Sequence, residues 1–250
     1  MREILLTMLL AVAAATGARA EPLSVLTEPY PGYSFDDKGE IRGAGADQVH
    51  LMFKRAGLPY KMQMLPWARA YQMATRDRNT CIFATNHTEE RDKLFKWVEP
   101  LGGGSVVLIR RKGDAAVAPK TLEEAKAFTV GVQRGDYAAD YLAKKGFPKL
   151  DLASDFGLTL KKLLSGRIEL AMTSDAAFRA EVKKGQPLEA VMTMPAAIYA
   201  LACSLDVPDD TVRMLQVELE RLVLDGSQDR FYEQYGMPAQ NLQGLVKKTD

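Results

Sequence analysis

The run Leu101-Gly102-Gly103-Gly104-Ser105, followed by Val106-Val107-Leu108-Ile109 and the turn Arg110-Arg111-Lys112-Gly113, separates two similar patterns. Three successive glycines interrupt any regular element and the four apolar residues after them read as a strand, so a hinge or crossing point fits there. Upstream, residues 23–27 read as a short buried strand. Residues 45–56 carry Val49, Met52, Phe53 and Ala56 at helical spacing, and Gly57 and Pro59 stop that helix. A strand over 60–65, a helix over 68–75 and a strand over 80–84 complete a strand-helix alternation. Downstream the pattern restarts. Thr121-x-x-Glu124 is a capping box, 128–132 is a strand, 136–145 and 155–164 are helices, and 168–172, 175–184 and 188–192 read as strand, helix and strand.

Strands alternating with helices predict an α/β fold whose sheets are mainly parallel and flanked by helices. Past Met194-Pro195 come a strand over 198–204, a long amphipathic helix over 208–224 closed by Asp225-Gly226, and a last helix over 227–235. These elements are too few for a domain and are expected to pack back on the first unit. The expected division is a first lobe from 21–104 and 196–250, a second lobe over 105–195, and two crossovers between them.

At the N-terminus, Arg2 precedes an apolar run from Leu5 to Ala15 and the small-x-small site Ala18-Arg19-Ala20. This is a signal-peptide pattern, with cleavage expected after Ala20 and residence in the periplasm. The run is shorter than the roughly 20 residues that span a bilayer. Without the leader, which holds Arg2, Glu3 and Arg19, the 33 basic and 32 acidic residues become 31 and 31. A neutral balance lacks the clustered Lys and Arg of a nucleic-acid or anionic-lipid footprint. Cys81 and Cys203 are the only cysteines, and His50 and His87 the only histidines. In an exported chain an even cysteine count reads as one disulfide, the alternative being two buried thiols, and neither histidine lies at metal-ligand spacing from a cysteine.

No nucleophile elbow, phosphate loop, dinucleotide fingerprint or paired-histidine metal motif is present, so no metal or cofactor is expected. Chemistry-bearing side chains gather instead at strand-to-helix junctions, where open α/β sheets hold ligands. Tyr30, in Tyr30-Pro31-Gly32-Tyr33, offers an apolar wall or a plain turn. In Pro66-Trp67-Ala68-Arg69-Ala70, Trp67 can stack and Arg69 can pair with a carboxylate, unless they are a core residue and a solvated charge. Asn86 opens the segment to Arg91, whose planar fork suits a carboxylate or a neighbouring Glu89 or Glu90. Gln133, Arg134, Gly135 and Asp136 lead from strand to helix and offer backbone N–H donors. Ser174 and Asp175 are candidates for a ligand ammonium or for an N-cap.

Together these positions resemble the family 3 extracellular solute-binding proteins, the polar-amino-acid receptors of ABC importers. The resemblance runs from Leu23 to about Pro238. It rests on Pro-Trp-x-Arg-Ala at Pro66 to Ala70, Thr-x-x-Arg at Thr88 to Arg91 with Phe95-x-Trp97-x-x-Pro100, and Val130-Gly131-Val132-Gln133-x-Gly135. Leu224-Asp225-Gly226 and the segment from Tyr232 to Gly236 also carry it. It implies the type II periplasmic binding fold, two α/β lobes joined by two hinge strands and closing on a ligand. Tyr30 and Trp67 then correspond to aromatic walls, Arg91 to a carboxylate anchor, Gln133 to Asp136 to second-lobe donors, and Asp175 to an ammonium partner. Counted from Gly166-Arg167, however, the family's acidic position falls on Ser174, and Asn86 stands where a small hydroxyl residue is common. The same topology places Cys81 and Cys203 on neighbouring strands of the discontinuous lobe, where a disulfide would tie in the C-terminal segment.

The function this implies is capture of a small polar, carboxylate-bearing solute by a monomer that serves an ABC permease. Two other readings compete with it. Some relatives of this fold resemble cyclohexadienyl dehydratases, which need an acid or base in the cleft, and Glu28 or Glu99 would be the candidates. The other is a sensor or accessory protein without its own importer.

Overall fold

The computed structural model describes residues 21–246, so the leader read at 1–20 lies outside the described residues. The first lobe opens with β1 (Leu23–Thr27), the hairpin β2 (Phe35–Asp37) and β3 (Glu40–Arg42), α1 (Ala44–Ala56) and β4 (Tyr60–Met64). It continues through α2 (Trp67–Arg76), β5 (Thr80–Asn86) and β6 (Lys96–Gly102). The second lobe contains β7 (Ser105–Arg111), α3 (Leu122–Ala125), β8 (Val130–Gln133), α4 (Tyr137–Lys144), β9 (Leu150–Ala153), α5 (Phe156–Leu164), β10 (Leu170–Ser174), α6 (Asp175–Lys183) and β11 (Leu188–Pro195). The chain then returns as β12 (Tyr199–Cys203), α7 (Asp209–Leu224) and α8 (Ser227–Gln234).

Each lobe is built on a five-stranded sheet, ordered β4-β1-β5-β12-β6 in the first and β11-β7-β10-β8-β9 in the second. Four strands of each sheet share a direction. The reversed one is β12 in the first lobe and β7 in the second, each being the strand by which the chain enters after a crossover. Central strands such as β5 and β12 are buried almost throughout, which is why they read as continuous apolar runs. Helices cover both faces. In the first lobe Val49, Met52 and Phe53 of α1 pack with Leu215 and Leu219 of α7, while Ala70 and Ala74 of α2 pack on Leu26 and Ile82 from the other side. Leu142 of α4 and Leu163 of α5 belong to the two separate cores of the second lobe. Each fully buried side chain of this size contributes about 1.5–3 kcal/mol over an exposed one.

The two crossovers lie side by side. Pro195 pairs with Ser105, Tyr199 with Gly102, and the Ala196 amide donates to the Gly104 carbonyl at 3.0 Å. The glycines here make room for packing. A Cβ on Gly102 would fall 1.7 Å from the Tyr232 hydroxyl, and one on Gly104 2.7 Å from that of Tyr199.

Cys81 and Cys203 stand opposite each other on β5 and β12 and form a buried disulfide, S–S 2.07 Å. The alternative of two free thiols does not hold. Three strand features differ from the sequence reading. The β2–β3 hairpin, β6 and β9 were not expected. Pro100 is accommodated because β6 is an edge strand, where a missing N–H costs no ladder bond. In addition, β10 starts and ends two residues later than expected, at Leu170 and Ser174.

Candidate binding cleft

A cavity of about 800 Å³ opens between the lobes. It is lined by residues at the C-terminal ends of strands: Glu28 and Tyr30 after β1, Trp67 after β4, Asn86 ending β5, Gln133 ending β8 and Asp136 after it, and Ser174 ending β10. That end of an α/β sheet is where side chains and helix starts converge, so both lobes turn their junctions toward one space.

Besides the exposed Glu90–Lys144 pair at 2.6 Å, four contacts bridge the walls. The Trp67 indole N–H donates to the Gly135 carbonyl at 2.8 Å, and Arg91 Nη2 donates to the same carbonyl at 3.2 Å. Arg91 Nη2 also meets Asp140 Oδ2 at 2.8 Å. Gln133 Nε2 donates to Glu28 Oε2 at 2.7 Å.

Several candidate residues sit elsewhere than the sequence suggested. Arg91 is buried beneath the cleft, its guanidinium 5.0 Å from the Tyr71 ring and 6.0 Å from that of Trp67, and it does not line the cavity. A carboxylate anchor was expected; the fork is instead engaged by Asp140, while Nη1 is buried without a partner among the described residues. Arg69 lies on the exposed face of α2, beside a shallow depression bordered by Asp36 and Met73. Arg134 is exposed outside the cavity, and its backbone amide is spent on Ala153. Gly135 takes part through its carbonyl rather than its amide. The Asp136 side chain accepts from the Ala138 amide, which fills the donor site at the start of α4.

Ser174 faces the cavity and caps α6, accepting from the Ala177 amide at 3.1 Å. Asp175 borders a second opening of about 390 Å³ and is paired with Arg179 at 2.6 Å. The two openings are divided by Tyr30 and Tyr199, whose hydroxyls are 3.0 Å apart. Asn86 donates to the Ala197 carbonyl at 2.8 Å, tying the end of β5 to the second crossover.

The electrostatics of the cavity are one-sided. Glu28, Asp36, Asp136 and Asp155 line it, with no Lys, Arg or His among its lining residues. Burial pushes Glu28 up to about 8, opposed by the hydrogen bond from Gln133 and reinforced by the charge of Asp136. Burial likewise raises Asp136 to about 6, against the Ala138 amide and the nearby Arg91 charge. Asp155 is held below the usual carboxylate range by the Leu158 amide and the Ser154 hydroxyl. The sequence reading named Glu28 only as a possible acid and omitted Asp155, Tyr137 and Tyr199. Asp155 follows β9, and seeing that strand would have marked it as another junction. Glu99 is bonded to His87 at 2.9 Å and is not among the cavity residues.

The cleft, the paired crossovers and the reversed entry strands describe a two-lobed binding fold. The family of bacterial extracellular solute-binding proteins, family 3, matches residues 23–238. The chain belongs to this family. Among relatives of this family 3 protein is the probable histidine-binding protein of Neisseria gonorrhoeae, 24% identical over 82% of this chain and 78% of that one. In structure it is similar to an ancestral arginine-binding protein bound to arginine, with a TM-score of 0.76 and 23% identity over 86% of this chain and 97% of that one. A histidine kinase sensor domain with similarity to periplasmic binding proteins superposes with a TM-score of 0.79 at 17% identity, covering 87% and 96%. At these identities the solved structures carry the fold alone. No helix among the described residues is long and apolar enough to cross a membrane.

Proposed function

We propose that this family 3 protein encloses a small polar solute of the amino-acid class between its lobes in the periplasm, and as a monomer passes it to an ABC permease. The observation that carries this reading is the cavity of about 800 Å³ lined from both lobes and bordered by adjacent crossovers. A solute that touches both walls of a space between two bodies favours the closed arrangement, so its binding energy shifts the lobes toward closure. The relative named for histidine supports a solute of that size.

Thermal unfolding of the processed protein with amino acids, amines, opines and organic acids tests the reading. A solute at a hundred times its Kd adds about 2.7 kcal/mol, roughly 5–10 °C for a chain of this size. No shift with any of them counts against solute binding. Loss of uptake of the stabilising solute on deletion of the protein would separate an importer subunit from a sensor.

One observation favours a second reading, elimination chemistry. Glu28, raised to about 8, holds a proton near neutrality as a general acid must. A prephenate-type substrate is a dianion, however, and the cavity lining offers it no Lys or Arg. Turnover of prephenate or arogenate by the purified protein would promote this reading.

A further inference from the structure

We infer that the solute held in this cleft is an organic cation recognised without an α-carboxylate, an amine or guanidine rather than an amino acid. The inference rests on the solute-binding reading above and narrows its ligand.

Carboxylates stand on both walls: Glu28 and Asp36 belong to the first lobe, Asp136 and Asp155 to the second. Across the cleft Glu28 lies 2.7 Å from Gln133, three residues from Asp136. Carboxylates facing each other in a space of low polarity keep a proton or repel, and a positive charge between them favours their ionised forms. Aromatic rings add to the same preference: Tyr30, Trp67, Tyr137 and Phe156 line the cavity, and ring faces attract cations.

What the cleft withholds is equally informative. Arg91 is the residue whose fork suits a carboxylate, and it stands behind the cavity wall with Nη2 spent on Asp140 and Gly135, leaving only Nη1 unpaired among the described residues. Three of the helix starts that might serve instead carry their own caps, Asp136 on α4, Asp155 on α5 and Ser174 on α6, while α2, which begins at Trp67, has no side-chain cap. A carboxylate carried into this space meets carboxylates and ring faces. It is desolvated without a charged partner, which is costly. The acidic position expected after β10 is filled by Ser174, so the cation's partners are Glu28 and Asp136 in its place.

Isothermal titration with matched pairs tests this on the processed, disulfide-bonded protein: agmatine against arginine, cadaverine against lysine, histamine against histidine. Each pair differs only by the α-carboxylate. At least one decarboxylated member is expected to bind about tenfold or more tighter than its amino acid, the scale set by an unpaired buried charge. Glu28→Gln, which keeps size and an amide partner for Gln133, is expected to lose about tenfold of that affinity. An amino acid binding as tightly as its decarboxylated partner, or more tightly, overturns the inference while leaving the solute-binding reading intact. So does binding of glutamate or another acid where no cation binds. No binding by any of these probes counts against both.

Discussion

The guanidinium of Arg91, 4% exposed, is held 2.8 Å from the carboxylate of Asp140, which is 60% exposed, so one ion pair across the two lobes has a buried end and a wet one. The two ends do not cost the same to remove. Asp140→Ala strands a buried guanidinium with the Gly135 carbonyl as its remaining acceptor, a loss of about 1–3 kcal/mol. Arg91→Met leaves a solvated carboxylate and keeps the apolar stem against Tyr71, so it costs less. Urea unfolding of both variants checks the order, and a larger loss for Arg91→Met would refute it.

Trp67→Phe keeps a ring in the cleft wall and deletes the N–H that reaches Gly135. Closure then loses about 1 kcal/mol, about fivefold in the ratio of closed to open forms. Small-angle scattering should report a larger radius of gyration for the variant without added solute. An unchanged radius would mean that the indole bond does not hold the lobes together.

The pH dependence has a definite sign. Glu28 is raised to about 8 from 4.5, and Asp136 to about 6 from 3.8, so between these limits the folded protein binds more protons than the unfolded chain. Stability contributed by the protonated forms is present below the unfolded values and is lost as pH rises through the folded ones. Melting temperature without solute is therefore expected to fall between about pH 4.5 and 8, and Glu28→Gln to flatten the upper part of the fall. An equal slope in the variant would rule out Glu28 as its source.

Replacing Cys81 and Cys203 together with Ala opens a loop of 122 residues. The chain-entropy cost is about 4–5 kcal/mol, roughly 10–20 °C in Tm at this size. Without reductant, intact mass after alkylation should show no modified thiols in the parent protein.

How far the sequence could be read depended on whether the deciding contacts were local. The strand-helix alternation was legible because β1, β5 and β12 are central, buried strands and α1 ends at a glycine. The junction positions Tyr30, Trp67, Asn86, Gln133, Asp136 and Ser174 were legible because strands must end somewhere, and the cavity collects those ends. The fate of Arg91 was not, because Asp140 lies 49 residues away on the other lobe. Its local neighbours Glu89 and Glu90 were the only partners a sequence could suggest. Which of Ser174 and Asp175 would line the cavity was not legible, because β10 runs two residues further than its apolar core and leaves Asp175 beside the second opening. Strand β9 escaped notice because its burial is uneven over four residues at a sheet edge.

The bond between Cys81 and Cys203 makes a ring of residues 81–203, and the whole second sheet is threaded on that ring. A protease that cuts an exposed turn there, at Gly113 or Gly185, breaks the chain without releasing a fragment. The nicked molecule gains only the mass of the water added at the cut, and it parts into two pieces only when reduced. Both crossovers then remain moored to β5 and β12, so continuity of the backbone through the second lobe is not what keeps the two halves of the first together.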